Sequence, residues 1–253
     1  MTGLRGLTRI GALALVVSAS NSIPSAAAAQ RSDPDFLFER PFMSFTIRGG
    51  VALPEAGSEI FDFTSEQLTV GPNAYNSVAF GAEMSFRVSG RFDVALGVGI
   101  SQSSTLSEFR DFVDFDDLPI EQTTKFTRVP TTLSAKYYLI DRGRSIGRFA
   151  WVPAAVAPYV GGGGGVIWYQ FEQRGDWVDF DTLDIFTDTF ESQGSTGVGH
   201  LLAGVDLSLG PRWYINGEGR YSFASARMES DFIGFDDIDL GGFEATLGFA
   251  IRF

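Results

Sequence analysis

From Gly242 to the C-terminus, apolar and polar or small side chains take turns along the chain. Phe243, Ala245, Leu247, Phe249, Ile251 and Phe253 form one face, against Glu244, Thr246, Gly248, Ala250 and Arg252 on the other. A period of two is the signature of a half-buried β-strand. The pattern recurs in Met43–Val51, Val78–Val88, Phe92–Ile100, Val129–Leu139, Gly199–Leu207 and Trp213–Phe223. A glycine-rich stretch, Pro158–Phe171, adds an eighth strand whose facing is ambiguous, because Gly161 to Gly165 carry no side chain to mark it.

The connections alternate in length. Ser89-Gly90-Arg91 and Gly210-Pro211-Arg212 are tight turns, and 141–151 is a medium one. Long connections are expected at 54–74, 102–124, 172–195 and 226–240. Short turns at one end, long loops at the other and two-faced strands of membrane-crossing length describe an all-β fold. The expected fold is an antiparallel eight-stranded transmembrane β-barrel with four long extracellular loops and short periplasmic turns. A soluble β-sandwich or lipocalin-like barrel also alternates, with its apolar face inward, so alternation alone does not separate the two.

The N-terminus supplies a further signal. Arg5 and Arg9 precede the apolar run Ile10–Ala19, and Ala27-Ala28-Ala29 offers the small residues of a cleavage site. Residues 1–29 therefore read as a secretory signal peptide, 30–41 as a short periplasmic segment and 42–253 as the barrel. The uncharged stretch Phe149–Phe171 is long enough for a membrane helix but carries Pro153, Pro158 and five consecutive glycines, which disfavour one.

Charge changes the picture further. The chain has 253 residues, 31 acids against 19 bases, a net charge of −12 and no cysteine. Nucleic-acid binding is not expected from that balance, and thiolate chemistry is excluded. The four long connections hold 22 of the 31 acids, while Arg91, Arg142, Arg144, Arg148 and Arg212 cluster in the turns. The acids Asp114, Asp116, Asp117, Asp179, Asp181, Asp236, Asp237 and Asp239 offer oxygen ligands for Ca²⁺ or Mg²⁺. None has the spacing of an EF-hand loop, and solvated surface loops are the plainer reading of them.

Aromatic residues interleave with these acids. Phe112, Phe115, Trp177, Phe180, Phe186 and Phe235 are candidates for an apolar mouth that captures hydrophobic solutes. The alternatives are a packed cap on strands that outrun the bilayer, or a girdle at the membrane interface. The inward face is expected to hold Arg48, Glu83, Arg87, Asp93, Arg128, Lys136, Asp206, Glu218, Arg220, Glu244 and Arg252. Eight strands enclose a space just wide enough for side chains, so Arg48, Glu83, Arg87, Lys136, Asp206, Glu218, Arg220, Glu244 and Arg252 are candidates for ion pairs that plug the lumen. The glycine run either leaves a small cavity or admits bulky neighbours such as Tyr138. His200, the only histidine, faces inward near the loop end. It is a conceivable general base, but position 202 on the same face is Leu, and no enzyme is expected.

The ending Phe243–Phe253 resembles the C-terminal signal by which outer-membrane barrels are recognised for assembly. Gly217–Phe223, Val129–Tyr138 and Pro158–Gly161 are similar to stretches of small OmpW-like and OmpA-like eight-stranded barrels. The resemblance implies an outer-membrane location in a Gram-negative-type envelope. It also implies contact with the assembly machinery through Phe253 and with lipid and lipopolysaccharide. The expected role is passive binding or transfer of small hydrophobic molecules. The alternative is a structural or surface-interaction barrel with acidic, cation-binding loops. No cofactor is expected.

Overall fold

The computed structural model describes residues 36–253. The expected signal peptide and the start of the 30–41 segment lie outside them. The strands are β1 (Met43–Pro54), β2 (Ser77–Arg87), β3 (Phe92–Val113), β4 (Pro119–Tyr138), β5 (Gly143–Ile146), β6 (Ala150–Pro153), β7 (Val156–Val178), β8 (Ile185–Ser208), β9 (Trp213–Phe223), β10 (Ser225–Ala226), β11 (Ile238–Asp239) and β12 (Gly242–Arg252). Eight of them close into an antiparallel barrel in the order β1-β12-β9-β8-β7-β4-β3-β2. The seam runs from Ser44 opposite Arg252 to Pro54 opposite Gly242. Phe253 is tied in at its end, donating its N–H to the Met43 carbonyl at 2.8 Å.

Around the lower barrel the outward row is apolar and exposed: Ile47 on β1, Phe80 on β2, Val98 on β3, Leu133 on β4, Val160 on β7, Leu201 on β8 and Leu247 on β12. The inward row of the same strands carries buried charges, except on β7, where it is Ala157, Tyr159 and glycine. That is inverted relative to a barrel in water, and it is the arrangement a strand needs when its outer face meets hydrocarbon. The chain folds as a transmembrane β-barrel.

Two of the four expected long loops are for the most part strand. Residues 102–113 and 119–124 continue β3 and β4, and 172–178 and 185–195 continue β7 and β8. The connections shrink to 114–118 and 179–184. Asp114 and Asp179 organise these turns. Asp114 accepts the N–H groups of Asp116 (2.9 Å) and Leu118 (2.7 Å), and Asp179 accepts those of Asp181 (2.8 Å) and Thr182 (3.3 Å). Since 9–11 residues cross the hydrocarbon, about 12 residues of β7 remain above it, about 40 Å along the strand. There the alternation changes hand. On β4, Thr123, Lys125 and Thr127 point out, while Ile120 and Phe126 are buried inside. On β7, Gln170 and Glu172 point out, with Ile167, Tyr169 and Phe171 inside. Strands leaving a membrane for water must make this exchange.

The tall strands form a four-stranded crest, and the other two loops fold onto its inner side. The first holds helix α1 (Glu59–Gln67), which buries Ile60, Phe61 and Thr64 along one face, with Glu59 and Asp62 in its first turn, where the helix dipole favours acids. Both edges of the crest are covered. Along β3, Thr69 donates its N–H to the Glu108 carbonyl at 2.8 Å. Along β8, Glu191 donates its N–H to Asp231 at 2.9 Å. Edge strands left open would template pairing with another chain.

At the opposite end, β5 and β6 make a small hairpin inside the medium turn. Leu37 pairs antiparallel with Trp151 of β6, which holds the N-terminal segment against that end.

Candidate functional site

Side chains fill the barrel in layers. The middle one is a five-residue ion network. Arg48 Nη1 donates to Glu218 at 2.9 Å and to Glu83 at 3.3 Å. Lys136 Nζ donates to Glu83 at 2.6 Å and to Glu218 at 2.8 Å, and Arg220 Nη2 donates to Glu218 at 3.0 Å. All five are buried. Neutral groups take the remaining lone pairs: the Ser85 hydroxyl donates to Glu83 at 3.0 Å and the Tyr159 hydroxyl to Glu218 at 2.9 Å. A buried charge needs such partnering, because one left alone costs several kcal/mol; of the network's buried donors, Arg220 Nε alone has no partner among the described residues.

The other lumen candidates point inward but are held differently. Asp206 accepts from Tyr138 (2.9 Å) and Asn216 (2.8 Å) rather than from a cation. Arg128 donates to the Leu240 and Gly241 carbonyls, both at 3.1 Å, beneath the second long loop. Asp93 pairs with Arg142 of the medium turn. Among the described residues, Arg87, Glu244 and Arg252 make no ion pair.

Gly163 explains a contact the sequence reading missed. In register it lies between Ser134 of β4 and His200 of β8. Those two side chains cross the bare strand and share a hydrogen bond of 2.8 Å, Oγ to Nε2. A Cβ at Gly163 would collide with the Leu133 carbonyl oxygen, and Gly161 and Gly165 meet β4 in the same way. The glycine stripe is thus a groove that brings β4 close and lets its neighbours' side chains meet. His200 Nδ1 has no partner among the described residues, so the pair lacks the third group that would orient a catalytic base. Nothing in the spacing marks Ser134, which is 66 positions away from His200.

The upper layer is apolar. Ile60 and Phe61 of α1, Tyr75, Phe126, Tyr169, Phe171, Phe232, Ile238 and Leu240 pack as one cluster. Their rings meet edge to face, with Phe61 at 4.7 Å from Tyr75, 5.5 Å from Phe126 and 5.8 Å from Phe171. Burial pushes the Tyr75 phenol up to about 12, a group in the first loop, clear of the membrane.

The six mouth candidates are not gathered around one opening. Phe112 and Trp177 pack on Phe109 inside the crest tip, with Phe180 against Phe112 at 5.7 Å. Phe186 lies opposite Trp177 on the next strand, and Phe115 stands free at the β3–β4 turn, 86% exposed. Phe235 is elsewhere, against Phe63 and Phe232. It borders a separate cavity of about 530 Å³ in the second long loop, with Met228, Ile233, Arg227, Asp236 and Asp237. Among the described residues, no group of three or more carboxylates or histidines converges as a metal site.

No protein-family model matches this chain, and no curated protein matches it. Solved structures do. Outer membrane protein OprG from Pseudomonas aeruginosa is 17% identical, covering 86% of this chain and 99% of that one, with a TM-score of 0.43. Neisserial surface protein A is 12% identical, over 84% and 97%, also at 0.43. Escherichia coli outer membrane protein W is 17% identical, over 85% and 100%, at 0.37. Each is a small eight-stranded outer-membrane β-barrel, and the likeness concerns the barrel alone.

Proposed function

We propose that this chain is a closed outer-membrane barrel that works at its long-loop end, as a surface-interaction element, and passes no solute through its lumen. The observation that carries the reading is the stack of two plugs: five interlocked charges at mid-barrel and an aromatic core above them. The tall crest, with its water-facing polar row and acidic turns, is the part that would meet other molecules. The leader at 1–29 fits export, and the end with short turns then faces the periplasm. His200 has a structural role in this reading, so His200→Gln should leave lipid composition unchanged. The test of the reading is conductance across planar bilayers and swelling of liposomes holding the protein, for which no pore activity is expected. A stable porin-scale current would overturn it.

A second reading, binding of small hydrophobic molecules at the loop end, is favoured by the 530 Å³ cavity beside Phe235 and Met228. Replacing Phe180, Phe186 and Phe235 together by Ala should weaken uptake of a hydrophobic compound if that reading holds. Unchanged uptake by a folded triple variant favours surface interaction.

A further inference from the structure

The short-turn end of the barrel gathers more cations than carboxylates. A cleft of about 300 Å³ there is lined by Arg40, Arg87, Arg142 and Arg144, with Ser145 and a single carboxylate, Asp141. That carboxylate is already taken, since Arg91 Nε donates to Asp141 at 2.7 Å. Arg87 and Arg142 also line a smaller pocket on the lumen side, together with Arg252 and the carboxylates Asp93 and Asp206.

Some of these donors have partners. Arg142 pairs with Asp93 and donates to the Ser89 carbonyl at 3.3 Å, and Arg40 reaches the Ser145 hydroxyl at 3.4 Å. The buried Nε of Arg87, Nε of Arg142 and Nη1 of Arg252 have none among the described residues. Arg252 is only 8% exposed. Trp151 positions two of the guanidinium groups, with Arg87 at 5.3 Å and Arg252 at 5.9 Å from its ring. Four guanidinium groups line the cleft against one carboxylate that Arg91 already engages, and cations that outnumber their counter-charges repel one another. An oxyanion in the cleft relieves that excess of positive charge.

We propose that this cleft binds a phosphoryl group, with Arg87 and Arg142 at its floor and Arg40 and Arg144 at its rim. Planar forks of N–H donors match phosphate oxygens two at a time, and 300 Å³ is room enough for a phosphate with an attached group. The surroundings also suit a lipid. Phe38, Phe42, Ile146 and Phe149 are exposed around the same end, at the level where the lipid-facing rows give way to turns. A free phosphate would use the same arginines without those apolar neighbours.

Trp151 serves as the reporter. The folded protein in neutral detergent is titrated with inorganic phosphate, and in parallel reconstituted in phosphatidylcholine nanodiscs with and without phosphatidylglycerol. Trp151→Phe is the control that removes the signal. A saturable emission change with inorganic phosphate supports the site and identifies free phosphate as a ligand. A change that needs phosphatidylglycerol supports the site and identifies a headgroup. Arg87→Gln should weaken the response at least about tenfold, the effect of one lost charge-assisted hydrogen bond. Because Arg87 is partly buried, the exposed rim variant Arg40→Gln/Arg144→Gln is measured beside it and should weaken binding with the fold intact. No response in either arm, or responses that both arginine variants leave unaltered, would overturn the proposal.

Discussion

Glu218 is the acceptor on which the mid-barrel network converges. One oxygen takes Arg48 at 2.9 Å and Arg220 at 3.0 Å, and the other takes Lys136 at 2.8 Å and Tyr159 at 2.9 Å. Glu218→Gln keeps the shape but leaves three buried cations facing Glu83 alone, and it turns an amide N–H₂ toward cations that only donate. Removing one partner of a buried ion pair costs about 3–5 kcal/mol. Summing the lost bonds would overstate the effect, because Arg48 and Lys136 retain Glu83. The assay is urea unfolding in lipid vesicles, followed by tryptophan emission and by the shift in gel mobility between folded and unfolded barrel. The midpoint should fall at nearly constant slope, as it does when stability changes and the exposed surface does not. Adding Lys136→Met should recover part of the loss, because the two residues share one network and their effects are not additive. A wild-type midpoint for Glu218→Gln, or a double variant as unstable as the sum of the singles, would refute the reasoning.

Three other outcomes are expected. Gly163→Ala should disrupt the β4–β7 ladder and lower stability by at least about 1–3 kcal/mol, whereas Gly199→Ala, with open space around its added methyl, should be neutral or slightly stabilising. Tyr75 ionises near 10 in the unfolded chain and at about 12 when buried, so its burial favours the folded cap below pH 10 and this advantage is lost as pH rises toward 12. Its hydroxyl has no partner among the described residues, so Tyr75→Phe should remove that alkaline sensitivity and leave the cap at least as stable, as read by hydrogen exchange in 59–67. Leu247, 70% exposed on the outer wall, should tolerate Arg in a water-soluble barrel but lose about 2–4 kcal/mol to it in a bilayer. Unfolding measured in vesicles distinguishes these.

The strands that cross the membrane were legible because a bilayer outside and charges inside give period two its strongest contrast. Every charged residue expected inside, from Arg48 to Arg252, does face the lumen. The crest was read as loop for a physical reason. Above the membrane the polar row moves outside, and residues such as Glu121, Thr123 and Glu172 look like loop composition when the apolar partners Phe126 and Phe171 are not read with them. The ion partners were not legible at all, since Glu218 meets Lys136 and Arg48 only because the barrel closes. The Ser134–His200 bond depends in the same way on a glycine of the strand between them. The arginine cleft had a faint signal in the basic turns, but Arg87 and Arg252 join it from strands, and Arg40 from the segment before β1.

Single strands run from lipid into water, and on the way their outward row passes from apolar to polar. The chain has no cysteine, so one spin label at a time can be placed on the outward row of β4, at Thr123, Thr127, Leu133 and Tyr137, in vesicles. Labels at 133 and 137 should be relaxed by oxygen dissolved in the bilayer and shielded from a water-soluble nickel chelate, and labels at 123 and 127 should show the reverse. Uniform access to the chelate along all four positions would contradict the membrane-spanning barrel.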